Sequence, residues 1–80
     1  MTKADFIEKI ENGSDIMFDI VGRHFTILTW PADGILIDEQ YPKDGNEKYY
    51  KTAKELVDGF MIDGVPLADL CDKVVITDYS

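Results

Sequence analysis

Ile16-Met17-Phe18-Asp19-Ile20-Val21-Gly22-Arg23-His24-Phe25-Thr26-Ile27-Leu28-Thr29-Trp30 carries the clearest structural pattern in the chain. Two runs with apolar residues at alternate positions flank a glycine, the pattern of a β-hairpin. With Gly22-Arg23 as the turn pair, glycine in the first position suits a type II′ turn. That register sets Val21 opposite His24, Ile20 opposite Phe25 and Phe18 opposite Ile27. One face then collects Ile16, Phe18, Ile20, Phe25 and Ile27, so turn chemistry and hydrophobic pattern agree. The other face carries Met17, Asp19, Val21, His24, Thr26, Leu28 and Trp30, a mixture expected of a partly exposed surface.

Outward from the hairpin the elements follow in order. Thr2 caps a first helix, with Asp5 three residues on, and Phe6, Ile7 and Ile10 share its inner face. Asn12-Gly13 ends it, glycine being suited to a left-handed C′ position. Pro31-Ala32-Asp33-Gly34 is a turn and Ile35-Leu36-Ile37 a third strand. Tyr41 to Asn46 reads as a loop. Thr52 with Glu55 forms a second capping box, leading a helix with Leu56, Val57 and Phe60 inside. Asp63-Gly64 turns the chain, and Pro66 opens a short third helix with Leu67, Leu70 and Cys71 facing inward. Val74-Val75-Ile76-Thr77 is a closing strand. The expectation is one α+β domain over residues 1–80, in the order αβββααβ, an antiparallel sheet with helices on one face. Its core is Phe6, Ile10, Phe18, Ile20, Phe25, Ile27, Leu56, Phe60 and Leu70.

Composition narrows function by exclusion. The 80 residues carry sixteen acids and eight bases, a formal charge of -8. From Glu55 to Ser80 there are six acids and one base, Lys73, so -5 of the charge falls in the last third. Contact with nucleic-acid or membrane phosphates needs Lys and Arg, so neither direct nucleic-acid binding nor a membrane surface is expected. A basic protein surface is the expected partner. A single cysteine forms no intramolecular disulfide, the first residues lack a secretory apolar core, and no stretch reaches the roughly 20 apolar residues of a span. A cytoplasmic protein is expected.

The residues that could carry chemistry fall short of a site. His24 is the single histidine and has no second histidine to share a metal or proton relay. Cys71 sits on an apolar helical stripe between Asp69 and Asp72, which oppose a thiolate, so it is expected to be buried and inert. Asp38 with Glu39, Glu55 with Asp58 and Asp69 with Asp72 are paired carboxylates without a calcium-loop pattern. The six glycines form no phosphate loop. No catalytic residue, metal ligand or cofactor is expected. The aromatics Trp30, Tyr41, Tyr49, Tyr50 and Tyr79 fit either a thin core or an interface.

The segment Thr52-Ala53-Lys54-Glu55-Leu56-Val57-Asp58-Gly59-Phe60-Met61-Ile62-Asp63-Gly64-Val65-Pro66-Leu67 resembles small uncharacterised acidic proteins of Gram-positive bacteria and their mobile elements. In layout and charge the chain is also similar to small type II-A anti-CRISPR proteins, acidic inhibitors that occupy the basic DNA-binding surface of a CRISPR nuclease as a DNA mimic. That resemblance implies a non-enzymatic inhibitor whose carboxylates stand in for phosphates, and transfers no individual residue.

Two surfaces are therefore expected to matter. Glu55, Asp58, Asp63, Asp69 and Asp72 form an acidic partner-binding patch, with Lys73 the one compensating base. Met17, Leu28 and Trp30 form an apolar patch on the outer sheet face, with Met17 opposite Leu28, covered by a terminal segment or by a second subunit of a homodimer. The alternative function is a self-associating structural or regulatory protein.

Overall fold

The hairpin forms, with a register two residues away from the one the turn glycine suggests. In the computed structural model, which describes residues 1–13, 15–41 and 47–80, strand β1 (Asp15–Ile20) pairs with β2 (Arg23–Leu28). Ile20 lies opposite Arg23, Phe18 opposite Phe25 and Ile16 opposite Ile27. Because side chains alternate with period two, an even shift leaves each one on its expected face. Ile16, Phe18, Ile20, Phe25 and Ile27 are all buried together, and Phe18 and Phe25 stack with ring centroids 5.2 Å apart.

The turn is Val21-Gly22, with positive φ at both residues, 44° and 79°. This is the requirement of a type I′ turn, not of II′. Valine is poorly suited to it, since a β-branched residue in the left-handed region costs about 1–2 kcal/mol. The register places Arg23 in the strand, facing the same side as Ile20, instead of at the apex of the turn.

Helix α1 (Lys3–Asn12) starts at Thr2, whose side chain accepts from the Asp5 N–H at 3.1 Å, and buries Phe6 and Ile10. Its end corrects the reading of Gly13. The residue is extended, φ −102°, not left-handed. Crowding is what favours glycine there, since a Cβ would lie 2.8 Å from the Tyr79 ring. The third strand is longer than expected: β3 runs Ile35–Tyr41, so Tyr41 closes a strand, while the rest of the expected loop, residues 42–46, lies outside the described residues. A short β4 (Lys48–Tyr50) pairs with β3.

Helix α2 (Ala53–Gly59) is capped by Thr52, which accepts from the Glu55 N–H at 3.1 Å. Asp63-Gly64 turns the chain as expected, with φ of 53° and 82°, the same turn class as Val21-Gly22 but with a favoured residue pair. Its arms, β5 (Met61–Ile62) and β6 (Val65–Pro66), form a two-stranded ladder too short to read from periodicity. The third helix is a 3-10 helix, Leu67–Lys73, preceded by Pro66. Leu67 and Cys71 are buried in it, whereas Leu70 is half-buried at the margin of the core.

The closing strand β7 (Val75–Tyr79) pairs with β1 and completes a five-stranded antiparallel sheet in the order β4-β3-β2-β1-β7. The expected α+β layout, helices on one face of an antiparallel sheet, is the observed one. A run of phenylalanines stitches its layers: Phe6 meets Phe18 edge-on at 5.4 Å, Phe18 stacks on Phe25, and Phe25 meets Phe60 edge-on at 6.1 Å.

If the hairpin register is chosen against the preference of Val21, relieving that residue should stabilise the protein. Val21→Asn is expected to raise stability by about 1 kcal/mol, or roughly 4–8 °C in Tm for a domain of this size. Thermal unfolding followed by circular dichroism checks it, and a variant with unchanged or lower Tm would show that the valine is not strained.

Candidate interaction surfaces and the buried ion pair

Alternation along β3 puts Ile35, Ile37 and Glu39 on the helix-covered side of the sheet, and Glu39 has no exposed surface. The sole arginine of the chain reaches it. Arg23 Nε donates to Glu39 Oε2 at 2.9 Å and Nη2 to Oε1 at 2.8 Å, a bidentate pair. Its Nη1 donates to Asp63 Oδ2 at 2.6 Å. One guanidinium thus joins β2, β3 and the β5–β6 turn. Its hydrogen bonding to Glu39 is the main reason that the Arg23 pKa stands above its ordinary value. Sequence reading grouped Glu39 with Asp38 as paired carboxylates beyond the end of the third strand. The signal it lacked was the continuation of the Ile35/Ile37 alternation by two residues.

The expected acidic patch is not one free surface. Asp63 is in the Arg23 network. Asp58 accepts from Lys3 Nζ at 2.6 Å and Lys54 Nζ at 2.8 Å, which hold its carboxyl below the usual range, Lys3 foremost. The Lys3 contact ties α2 to the start of α1. Glu55, Asp69 and Asp72 are exposed, with Asp69 and Asp72 together on the 3-10 helix.

Met17, Leu28 and Trp30 do lie on the outer side, but the expected pairing of Met17 with Leu28 fails. Met17 is opposite Thr26, and Leu28 is opposite Asp15, a consequence of the two-residue register difference. Nor does a terminal segment cover them. The C-terminal segment spends its backbone hydrogen bonds on the β1 edge as β7, so it extends the sheet instead of crossing it. Met17 is 41% exposed and Trp30 67%.

The outer face is instead organised in cross-strand rows. Tyr49, Leu36, Leu28 and Asp15 stand directly opposite one another across β4, β3, β2 and β1. Trp30 Nε1 donates to Asp15 Oδ1 at 3.1 Å and so joins this row. The next row is Asp38, Thr26, Met17 and Asp78, and beyond it come His24, Asp19 and Val75. Four acids thus border an apolar strip, and among the described residues no Lys or Arg occupies an outward strand position.

His24 has a partner that sequence reading missed, because the expected register set Asp19 against Thr26. Asp19 is directly opposite, its Oδ1 2.5 Å from His24 Nδ1. Both border an open hollow of about 320 Å³ with Met17, Gln40 and Thr77. A carboxylate that orients an imidazole is one part of a general-base arrangement; here both groups are about one-third exposed. No group of three or more metal-binding side chains occurs among the described residues.

Cys71 is buried, and its Sγ lies 3.4 Å from the Leu67 carbonyl oxygen. Burial raises the thiol pKa, with Asp72 and Asp69 adding to the rise and the N-terminus and Lys3 opposing it.

No protein-family model, curated protein or solved structure matches the chain. Among the described residues, no helix is long and apolar enough to cross a membrane.

Removing one side of the buried pair should be costly. Arg23→Met is expected to destabilise by about 3–5 kcal/mol by removing the guanidinium from the buried Glu39 carboxylate. The double variant Arg23→Met/Glu39→Leu should recover most of that loss. Urea unfolding of the three proteins tests this, and additive losses in the double variant would contradict it. For Cys71 the sign is set by its raised folded pKa. The folded state holds the proton more tightly, so the stability linked to it is intact below the unfolded thiol pKa near 8.5 and declines as pH rises above it. Thiol labelling at neutral pH should therefore be slow and accelerate with urea; fast labelling of the folded protein would refute burial.

Proposed function

We propose that the chain is a non-enzymatic acidic interaction protein that docks on a basic surface of another protein. The observation that carries this reading is the uncovered outer sheet face. An antiparallel sheet can leave one face to solvent, but that face is then ordinarily polar. Here it bears an apolar and aromatic row, Tyr49, Leu36, Leu28 and Trp30, flanked by Asp15, Asp38 and Asp78. Tyr and Trp are the residue types that dominate binding hot spots. Acids without interspersed bases steer a basic partner toward them. The same acids disfavour a second copy of this chain on that face, which weighs against self-association. Glu55, Asp69 and Asp72 add negative field from the helical side. The DNA-mimic form of this reading, suggested by the likeness in layout and charge to type II-A anti-CRISPR proteins, has these carboxylates in place of phosphates.

Capture of proteins from a host lysate by the immobilised chain, compared with Trp30→Ala/Tyr49→Ala and with Asp38→Asn/Asp78→Asn, tests the reading. Both positions of the first variant are exposed, so its fold should persist. Capture by it should fall roughly thirty-fold, the effect of about 2 kcal/mol at a hot spot. Loss in the second variant should match that caused by raising salt. Competition by duplex DNA for the captured protein would support the mimic form. Equal capture by all three proteins, insensitive to salt, would overturn the reading, and a dimer abolished by Trp30→Ala/Tyr49→Ala would favour self-association instead.

A further inference from the structure

On the other side of the molecule the two left-handed turns meet. Val21-Gly22 ends the β1–β2 hairpin, Asp63-Gly64 ends the β5–β6 hairpin, and the Arg23–Asp63 ion pair joins them. Between these turns and the 3-10 helix runs an open groove of about 290 Å³, lined by Ile20, Val21, Ile62, Val65, Leu70 and Lys73 along with the bridging pair. Ile20 and Ile62 are buried and Leu70 half-buried, so they form its floor, whereas Val21 and Val65 are exposed at its rim. The groove lies at the small end of the roughly 300–1,000 Å³ of ligand sites, a size suited to a small molecule.

Three charged side chains line this groove, Arg23, Asp63 and Lys73. Two of them are committed to each other and to the sheet. Arg23 donates to both Glu39 oxygens through Nε and Nη2, and to Asp63 through Nη1 at 2.6 Å. The third is not. Lys73 is exposed, and its ammonium makes no ion pair among the described residues. Asp69 and Asp72 belong to the same 3-10 helix but are not among the groove's lining residues. The unmatched charge at the groove is therefore positive, in a chain whose formal charge is -8.

An apolar trough with one unmatched cation is complementary to an apolar chain that ends in one negative charge. A phosphate is a poorer fit, since its charge and its oxygens call for more donors than a single ammonium. A peptide terminus is also a poorer fit, because no neutral hydrogen-bonding side chain lines the groove to receive its amides. We infer that the groove binds a small free aliphatic carboxylate, its chain against Ile20, Ile62, Val65 and Leu70 and its carboxylate on Lys73. The net charge of the protein repels anions at long range, so the carboxylate is held by this short contact. In a 3-10 helix residues three apart stack, which sets Leu70 and Lys73 in one row and gives the ligand an apolar and a charged contact from the same helix face. The site is independent of the docking face proposed above, from which it differs in position and in the sign of the charge it prefers.

Methyl-detected NMR titration with isocaproate tests it. Isocaproamide keeps the chain without the charge, acetate keeps the charge without the chain, and acetyl-glycyl-leucine is the peptide-terminus form. Isocaproate should shift the methyl resonances of Ile20, Ile62, Val65 and Leu70, and acetate should leave them unmoved. Lys73→Gln should bind isocaproate about three-fold more weakly, the scale of one exposed ion pair, and Lys73→Arg should bind it like the parent. Lys73 is exposed, so the fold of both variants should persist. The amide should bind about three-fold more weakly than the acid to the parent and equally to Lys73→Gln. Lys51→Gln changes the net charge by the same amount at another exposed lysine and should leave binding unchanged. Equal binding of acid and amide by the parent, a loss of the same size in Lys51→Gln, undiminished binding by Lys73→Gln, or no shifts at all would overturn the site. Tighter binding of acetyl-glycyl-leucine would overturn the free acid in favour of a peptide terminus. Shifts confined to Leu28 and Leu36 would place the ligand on the outer sheet face and overturn the groove.

Discussion

Glu39 sits without exposed surface on the helix-covered side of the sheet, and Arg23 grips it with two hydrogen bonds. Breaking such a buried pair costs about 3–5 kcal/mol. The alternative hairpin register, with Gly22-Arg23 at the apex, would preserve every apolar contact face but take Arg23 out of the strand. The observed register keeps Arg23 in place and accepts a valine in the left-handed region, at about 1–2 kcal/mol. Comparison of these magnitudes accounts for the choice. The pairing of β1 with β2, the position of the β5–β6 turn and the groove between the turns all follow from where that guanidinium must be.

The same register arranges the opposite face. Shifting the hairpin by two residues moves Leu28 away from Met17 and into line with Leu36 and Tyr49, which concentrates apolar groups at one end of the sheet. It also brings His24 opposite Asp19 at the other end. An ion pair on the helical side therefore determines which side chains neighbour one another on the outer side, although the two sets never touch. Changes at Arg23 or Glu39 would be expected to disturb the outer rows through register, without removing any residue from the outer surface.

What could be read from the sequence was what short-range physics controls. The caps Thr2 and Thr52 act within three residues, and both donors are where a capping box places them. The inward set of the hairpin was legible because a period-two pattern survives an even slip. Register was not legible, since it is decided by a contact between Arg23 and Glu39, which the sequence separates. The buried acid itself lay in plain pattern, two residues beyond Ile37, but ending the strand at Ile37 left it on the surface. The ion pairs within the expected acidic patch were hidden for a similar reason. Asp58 and Asp63 look unbalanced among their sequence neighbours, yet Lys3 and Arg23 come to them from other elements.

These internal pairs sharpen the meaning of the remaining charge. Asp58, Glu39 and Asp63 draw on Lys3, Lys54 and Arg23, three of the eight bases in the chain. The bases are spent where they tie helix to helix or sheet to turn, and the outward strand positions receive none among the described residues. A chain that needed acids only for solubility could intersperse the two signs over its surface. Here three of the cations stabilise the fold while acids are left to gather around the apolar row. Such an arrangement raises self-repulsion in the free protein, which a basic surface laid against that face would relieve.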